Sequence, residues 1–386
     1  MSAPNLINLY AYCRDRVLDP VTRAPITEAR LAEVLPESLA AMELAEQTHV
    51  AIPEELHSVF AEFRPTPIID AKRFADAIGG GCQILVKDEG SSPSGNHKMN
   101  SAMWIAYHAA RDGVRTLITE TTGNWGHALA IAGARFGVRV VCFIDEKSVS
   151  ARPDRVALMT EAGAEVIVVG AEGEDYDPLV LSADRAVSYA RSREDSRYIF
   201  GSVYNYFILP QTIAGVEVRQ VLEQTPPDIV VGSCGGGANL LGISAAYLVD
   251  RVAGDGGPEV VCAESSLCPI VSKGIPGEYS IDNQQFYPLL KTYGLDRLLG
   301  DTYIGGLGST IVAAPVAAFH EEGLIRTRSF TDQEALDAAE LFQKTEGRRV
   351  ALETGYQLAG VIAEARRRPG ARILVNISSV RANSFA

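Results

Sequence analysis

A chain of 386 residues with 47% hydrophobic composition can bury one large core or two joined ones, and its formal net charge of -13 offers no basic face to a nucleic acid. No run approaches the roughly 20 apolar residues of a membrane span, and the first residues, MSAPNLINLYAYCRDR, lack a basic-then-apolar leader. Cys13, Cys82, Cys142, Cys234, Cys262 and Cys268 form no CxxC pair and several lie in apolar runs, so buried free thiols, a reducing cytoplasm and no metal site are expected.

Residues 1 to about 65 read as an extended, proline-punctuated lead with two short helices. Thr27 caps one at Glu28, and Pro53 opens another that runs to about Phe63, where Pro65 and Pro67 end it. Beyond the lead, strand-length apolar runs alternate with helix-like segments. The runs are Ile84-Leu85-Val86, Thr116 to Thr119, Val138 to Ile144, Val166 to Val169, Ile229-Val230-Val231, Val260 to Ala263 and Ile373-Leu374-Val375. They are near-continuously hydrophobic, as strands covered on both faces should be, so the class is α/β with mostly parallel sheets. Such sheets bind ligands outside the carboxyl ends of their strands.

Three loops occupy that position. After Val86-Lys87-Asp88-Glu89, the turn Pro93-Ser94-Gly95-Asn96-His97 delivers Lys98 to a helix over Asn100 to Asp112, with Ala102, Ile105, Ala106 and Ala109 at helical spacing. A lysine among the free N–H groups of a helix start suits a Schiff base whose cofactor carries a phosphate. After Thr119 come Glu120, Thr121, Thr122, Gly123, Asn124 and Trp125, then a helix from His127 to Phe136. Hydroxyls, an amide and backbone donors there suit a substrate carboxylate, and Glu120 is the natural acid or base. After Val231 comes Gly232-Ser233-Cys234-Gly235-Gly236-Gly237-Ala238-Asn239, with a helix from about Leu240. Three glycines in a row let backbone N–H groups approach an anion, although neither a Walker loop nor GxGxxG is present. Each loop alone has a plainer reading: an exposed lysine, a helix-capping glutamate, a tight turn. All three together favour a site.

Taken in order, the motifs resemble those of the fold-type II pyridoxal-phosphate enzymes, specifically the tryptophan synthase β family and its second, longer branch. The resemblance spans nearly the whole chain. It rests on Asp19-Pro20, Arg64-Pro65-Thr66-Pro67, Lys87 to Asn100, Gly163-Ala164-Glu165-Val166, Gly201 to Asn205 and Pro210-Gln211-Thr212. Gly235 to Asn239, Thr345-Glu346-Gly347 with Ala351-Leu352-Glu353, and Asn376-Ile377-Ser378 complete it. It implies two interleaved domains, each with a mostly parallel sheet flanked by helices: 1–64 plus 97–200 as a smaller, mobile N-terminal domain, and 65–96 plus 201–386 as the domain that holds the cofactor phosphate. By the same resemblance Lys98 is the Schiff-base lysine that also moves the Cα proton. His97 and the Gly235, Gly236, Gly237, Ala238, Asn239 loop grip the phosphate of pyridoxal 5'-phosphate. Ser378 bonds the pyridine nitrogen, Glu353 is a second carboxylate near the cofactor, and Glu120 is the catalytic glutamate. A neutral partner such as Ser378 leaves the ring nitrogen unprotonated, which biases the chemistry toward loss of a β-leaving group.

Three loops depart from the family pattern. Thr121-Thr122-Gly123-Asn124 is one residue shorter than the usual Thr-Gly-Ala-Gly-Gln and is closer to the carboxylate loop of cysteine and threonine synthases. Gly305-Gly306-Leu307 is followed by Gly308-Ser309-Thr310 in place of bulkier polar residues, and Ser379-Val380-Arg381 replaces a glycine-rich turn. The implied reaction is β-replacement on L-serine or an activated serine, with indole as the family's nucleophile. A different carbon, sulfur or nitrogen nucleophile, β-elimination to a keto acid, and a catalytically idle partner subunit are the alternatives. A homodimer is expected, and the need for an α-type subunit is left open.

Overall fold

The computed structural model describes residues 5–170, 178–295 and 305–380. Ten strands build its two main sheets: β1 (Ile68–Asp70), β2 (Gln83–Asp88), β3 (Thr116–Glu120), β4 (Arg139–Asp145), β5 (Glu165–Val169), β6 (Ser196–Tyr198), β7 (Ile229–Ser233), β8 (Glu259–Ser265), β9 (Ile325–Phe330) and β10 (Arg372–Ile377). Every apolar run read as a strand is one. A six-stranded sheet has the order β9-β8-β7-β10-β2-β1, and a four-stranded sheet the order β5-β4-β3-β6. All pairings within them are parallel except that of the edge strand β1 with β2. The hydrophobic runs follow from double-sided burial. Ile84, Val86, Ile229, Val231, Ile373 and Val375 pack on one face of the larger sheet, and Leu85, Val230 and Leu374 on the other.

Seven helices matter for the site: α1 (Met99–Arg111), α2 (Asn124–Phe136), α3 (Asp154–Glu161), α4 (Asn205–Gln211), α5 (Ile213–Val221), α6 (Ala238–Ala253) and α7 (Leu352–Arg367). The α2 and α6 helices begin two to three residues earlier than the sequence pattern indicates. Gly123 and Gly237, at positive φ, turn the chain sharply just before them. The lead has more structure than its composition signals. Thr27 caps a helix as expected, while Val17–Leu18 pairs antiparallel with the distant strand Leu289–Gly294. Among the described residues all six cysteines are free and buried, and no helix is long and apolar enough to cross a membrane.

A buried charge cluster fixes the start of α1. The Arg64 guanidinium donates to Glu89 at 3.0 Å, to Glu217 at 2.8 Å and to Asn100 at 2.6 Å. The Lys87 ammonium donates to Glu217 and to the Thr66 carbonyl, and the Thr66 hydroxyl and the Asn100 amide donate to Glu89. Burial alone would raise the Glu89 carboxyl, but Arg64 overrides it and holds the group down to about 2. Replacing Arg64 by Met leaves Glu89 and Glu217 buried with less positive charge to balance them. Arg64→Met is expected to cost about 3–5 kcal/mol of stability, the usual scale for breaking a buried ion cluster. Denaturant unfolding of the variant checks this, and an unchanged midpoint would contradict it.

Candidate active site

Strands β2, β10 and β7 lie side by side, with Lys87 opposite Asn376 and Val375 opposite Val231 across the registers. Their carboxyl ends therefore release the Lys98 loop, Ser378 and the glycine loop next to one another. The three meet at a cavity whose walls include His97, Lys98, Asn124, Ser202, Gly235 to Asn239, Gly306, Glu353 and Ser378.

Lys98 precedes the first turn of α1, and its backbone N–H donates to the Asn96 side chain at 3.1 Å. Burial in the cavity wall pulls its ammonium down to about 8, against the opposing pull of the Glu353 carboxylate; Arg155 adds to the depression and Glu120 opposes it. A lysine held there has an appreciable amine fraction near neutrality, as a nucleophile or base requires. The neighbouring His97 donates through Nδ1 to Gln211 Oε1 at 2.8 Å. Gln211 is oriented by its own N–H bonds to the His97 carbonyl and the Ser101 hydroxyl. Burial pulls His97 down to about 4, so the ring is neutral and contributes hydrogen bonding rather than charge.

Across the cavity the glycine loop opens the sixteen-residue helix α6. A Cβ on Gly236 would overlap the Ser202 hydroxyl, and one on Gly235 would lie 2.8 Å from the Leu307 backbone. Among the described residues the amides of Gly235, Gly236, Gly237 and Ala238 donate to no other group, and the Asn239 side-chain Nδ2 is a buried donor with no partner. The Asn239 oxygen is already engaged by Ser233 and Gln357. Unmatched donors at a helix N-terminus form an anion site. Facing it, the Ser378 hydroxyl lies 3.1 Å from that of Thr354. Glu353, in the first turn of α7, accepts from the Gly306 amide at 3.0 Å.

The four-stranded sheet delivers Asn124 to the cavity wall, whereas Glu120 is buried and does not line it. Glu120 ends β3, buried, with its carboxyl pushed up to about 8 by burial, against the Tyr198 hydrogen bond and the Lys98 charge. The loop after it divides its labour. The Thr121 hydroxyl accepts from the amides of Gly123 and Gly126, both at 2.9 Å, and so folds the loop. The Thr122 carbonyl accepts from Arg155, whose side chain lies where a Cβ on Gly123 would have to be. Trp125 is core rather than cavity: its indole N–H donates to Thr119 at 2.8 Å and its ring packs on Phe207. Asn124 alone of these five lines the cavity, while the amides of Asn124 and Trp125 donate to no other group among the described residues.

Two of the altered loops also find their place. Ser379 bridges Asn96, and the Val380 amide donates to Gly95 at 3.0 Å, so the turn after Ser378 is zipped to the Lys98 loop. Arg381 lies outside the described residues. The Ser309 hydroxyl is engaged with the Ile311 carbonyl at 2.6 Å. Sequence reasoning missed four contributors: Ser202, Gln211, Arg155 and Tyr198. Ser202 and Gln211 sit inside the motifs quoted above, which was their only signal. Arg155 lies on a polar helix and Tyr198 on a three-residue strand, and neither stands out.

Residues 59–379 match the family described as pyridoxal-phosphate dependent enzyme. The chain is 35% identical to the tryptophan synthase beta chain 2 of Thermotoga maritima over 370 residues, 92% of this chain and 87% of that protein. It is 33% identical to the tryptophan synthase beta chain of Thermosipho africanus over 379 residues, covering 94% and 89% of the two. Against the tryptophan synthase beta chain 2 of Methanosarcina acetivorans it is 33% identical over 371 residues, covering 91% and 83%. Fold and cavity are thus those of a fold-type II enzyme that uses pyridoxal 5'-phosphate in lyase or synthase chemistry. The chain belongs to the tryptophan synthase β family.

The residues present fit that cofactor. Four unmatched amides at a helix N-terminus suit a phosphate, and the Ser378 hydroxyl and Lys98 line the same cavity. Gly236→Val should weaken pyridoxal phosphate binding at least about tenfold, a loss of roughly 1.4 kcal/mol, because the added Cβ displaces either Ser202 or the loop amides. Titration of the apoprotein, followed by the absorbance of bound cofactor, measures it. Unchanged affinity would make the loop a structural turn only.

Proposed function

We propose that the chain catalyses β-replacement on L-serine or an activated serine, with indole as the nucleophile and L-tryptophan as the product. The observation that supports this reading is the pairing of a depressed lysine with a raised carboxyl: Lys98 in the cavity wall and Glu120 buried close enough that each charge acts on the other. The bound cofactor supplies the electron sink for charge developing at Cα. Lys98 takes that proton and returns it. The unmatched amides at the start of α2, with Asn124, hold the substrate carboxylate. Glu120 is protonated at pH 7, so it can give a proton to the departing β-oxygen; once ionised, it can accept one from the incoming nucleophile. His97 and the Gly235–Asn239 loop would hold the phosphate, Ser378 the pyridine nitrogen, and Glu353 would stand beside Lys98 near the cofactor.

The reading is tested by offering the loaded enzyme L-serine, O-phosphoserine, O-acetylserine or threonine, each with and without indole. Tryptophan from a serine donor supports it. Keto acid and ammonia as the products whether or not indole is present would replace it with β-elimination.

Glu120→Gln separates catalysis from helix capping. The variant should bind pyridoxal phosphate normally and lose about 10²–10⁴-fold in kcat with serine. O-phosphoserine, whose leaving group needs no acid, should recover part of the loss in the release step. A variant that loses only about 1–2 kcal/mol of stability and keeps its kcat would reduce Glu120 to a cap.

A further inference from the structure

The reaction just proposed asks two opposite things of one carboxyl. Glu120 must carry a proton when the β-oxygen leaves and lack it when the nucleophile arrives. A carboxyl free to rotate does neither well, because its oxygens exchange places. The immediate surroundings of Glu120 show what prevents this.

Glu120 and Ile118 project from the same face of β3, two residues apart. The neighbouring strand β6 runs parallel to β3 with Tyr198 opposite Ile118. The Tyr198 side chain therefore lies on that same face and reaches forward, where its phenol O–H donates to Oε2 of Glu120. Among the described residues no other side chain is hydrogen-bonded to this carboxyl. The donor is itself immobilised. Tyr198 is buried, its ring meets that of Tyr287 edge to face at 5.1 Å, and its carbonyl accepts from the Tyr287 hydroxyl at 2.8 Å.

We propose that Tyr198 is a positioning residue for this reaction: its hydroxyl pins one oxygen of Glu120 and leaves the other to face the reacting groups. The inference rests on the acid–base reading of Glu120. Four titratable groups face that carboxyl: Lys98 from the start of α1, Cys142 from β4, Tyr198 from β6, and Tyr287 from the segment before the strand Leu289–Gly294. Burial pushes the Cys142 thiol up to about 12 and raises both phenols above their ordinary value, so all three stay neutral. A neutral Tyr198 donates to the ionised carboxylate, and together with Lys98 it favours ionised Glu120.

Removing the hydroxyl takes away a hydrogen bond to the charged form, so the Glu120 carboxyl should rise further above 8. The sign follows directly. Loss of the β-substituent needs protonated Glu120 and should survive to higher pH. Addition of the nucleophile needs ionised Glu120 and should fail at neutral pH, recovering as pH rises.

The experiment compares wild type, Tyr198→Phe and Tyr287→Phe as full-length proteins. An infrared titration of the apoprotein follows the carboxyl band that Glu120→Gln abolishes. pH profiles of the loaded enzyme are taken for the release of keto acid without nucleophile and for overall replacement with indole. In Tyr198→Phe the carboxyl titration and the acid limb of replacement should both move up by about one to two pH units. Replacement at pH 7 should fall about 10–100-fold in kcat, with KM little changed, while release of keto acid persists. Tyr287→Phe should lower stability without moving either limb. A ring-fluorinated tyrosine at position 198, a stronger donor of nearly the same shape, should shift both limbs the opposite way. This arm keeps the test open if Tyr198→Phe folds poorly. An unmoved carboxyl titration, or two half-reactions that fall together at every pH, would overturn the inference. Full turnover in Glu120→Gln would remove the acid–base reading itself. An inactive Glu120→Gln with an unmoved Tyr198→Phe limb would remove only the role of Tyr198.

Discussion

The His97 backbone N–H donates to the Ser378 carbonyl at 3.0 Å, and the arrangement of the site depends on that bond. It joins the loop after β2 to the turn after β10, whose strands already run side by side. The bridge between Asn96 and Ser379 and the bond from Val380 to Gly95 extend the stitch on either side. Lys98 and Ser378 thus sit at a separation fixed by backbone, before any side chain contributes. Arg64, through Asn100 and Glu89, clamps the helix that begins one residue beyond Lys98. Backbone carries the stitch: of the buried side-chain atoms beside it, the Ser379 hydroxyl and one Asp88 carboxyl oxygen have no hydrogen-bond partner among the described residues.

With the geometry fixed, the electrostatics follow from burial. Burial lowers a cation and raises an acid, and it brings Lys98 and Glu120 to about 8 from opposite sides. Groups matched in this way exchange protons with substrate at little free-energy cost. The proposed phosphate site sits in a chain of overall charge -13. The attraction is local: backbone amides and the α6 dipole rather than cationic side chains, with His97 neutral beside them. Arg155 does not line the cavity but reaches the Thr122 carbonyl and lies 4.0 Å from Glu353. It connects the wall built on the four-stranded sheet to the one built on the six-stranded sheet.

Much of this was legible in the sequence because parallel strands buried on both faces leave continuous apolar runs, and the loops after them carry small residues for a stated reason. Gly236 must be glycine because Ser202 occupies the space a Cβ would need. Less could be read where tertiary partners decide the structure. Val17–Leu18 is a strand only because Leu289 and Leu290 complete its ladder. Trp125 stands in a loop that composition marks as ligand-binding, yet its indole is core because Thr119 and Phe207 receive it. Tyr198 follows Ser196 and Arg197 in a strand too short and polar to carry a pattern, and only the register with β3 brings it to Glu120.

The central claim is that Lys98, among all the lysines, carries the cofactor. Chemical reduction of the loaded protein, followed by peptide mapping, tests it most directly, because reduction makes the attachment permanent. The account predicts the added mass on the peptide that contains Lys98 and on no other. Added mass on a different lysine would contradict it, above all on Lys87, which is buried nearby but held by Glu217 and the Thr66 carbonyl.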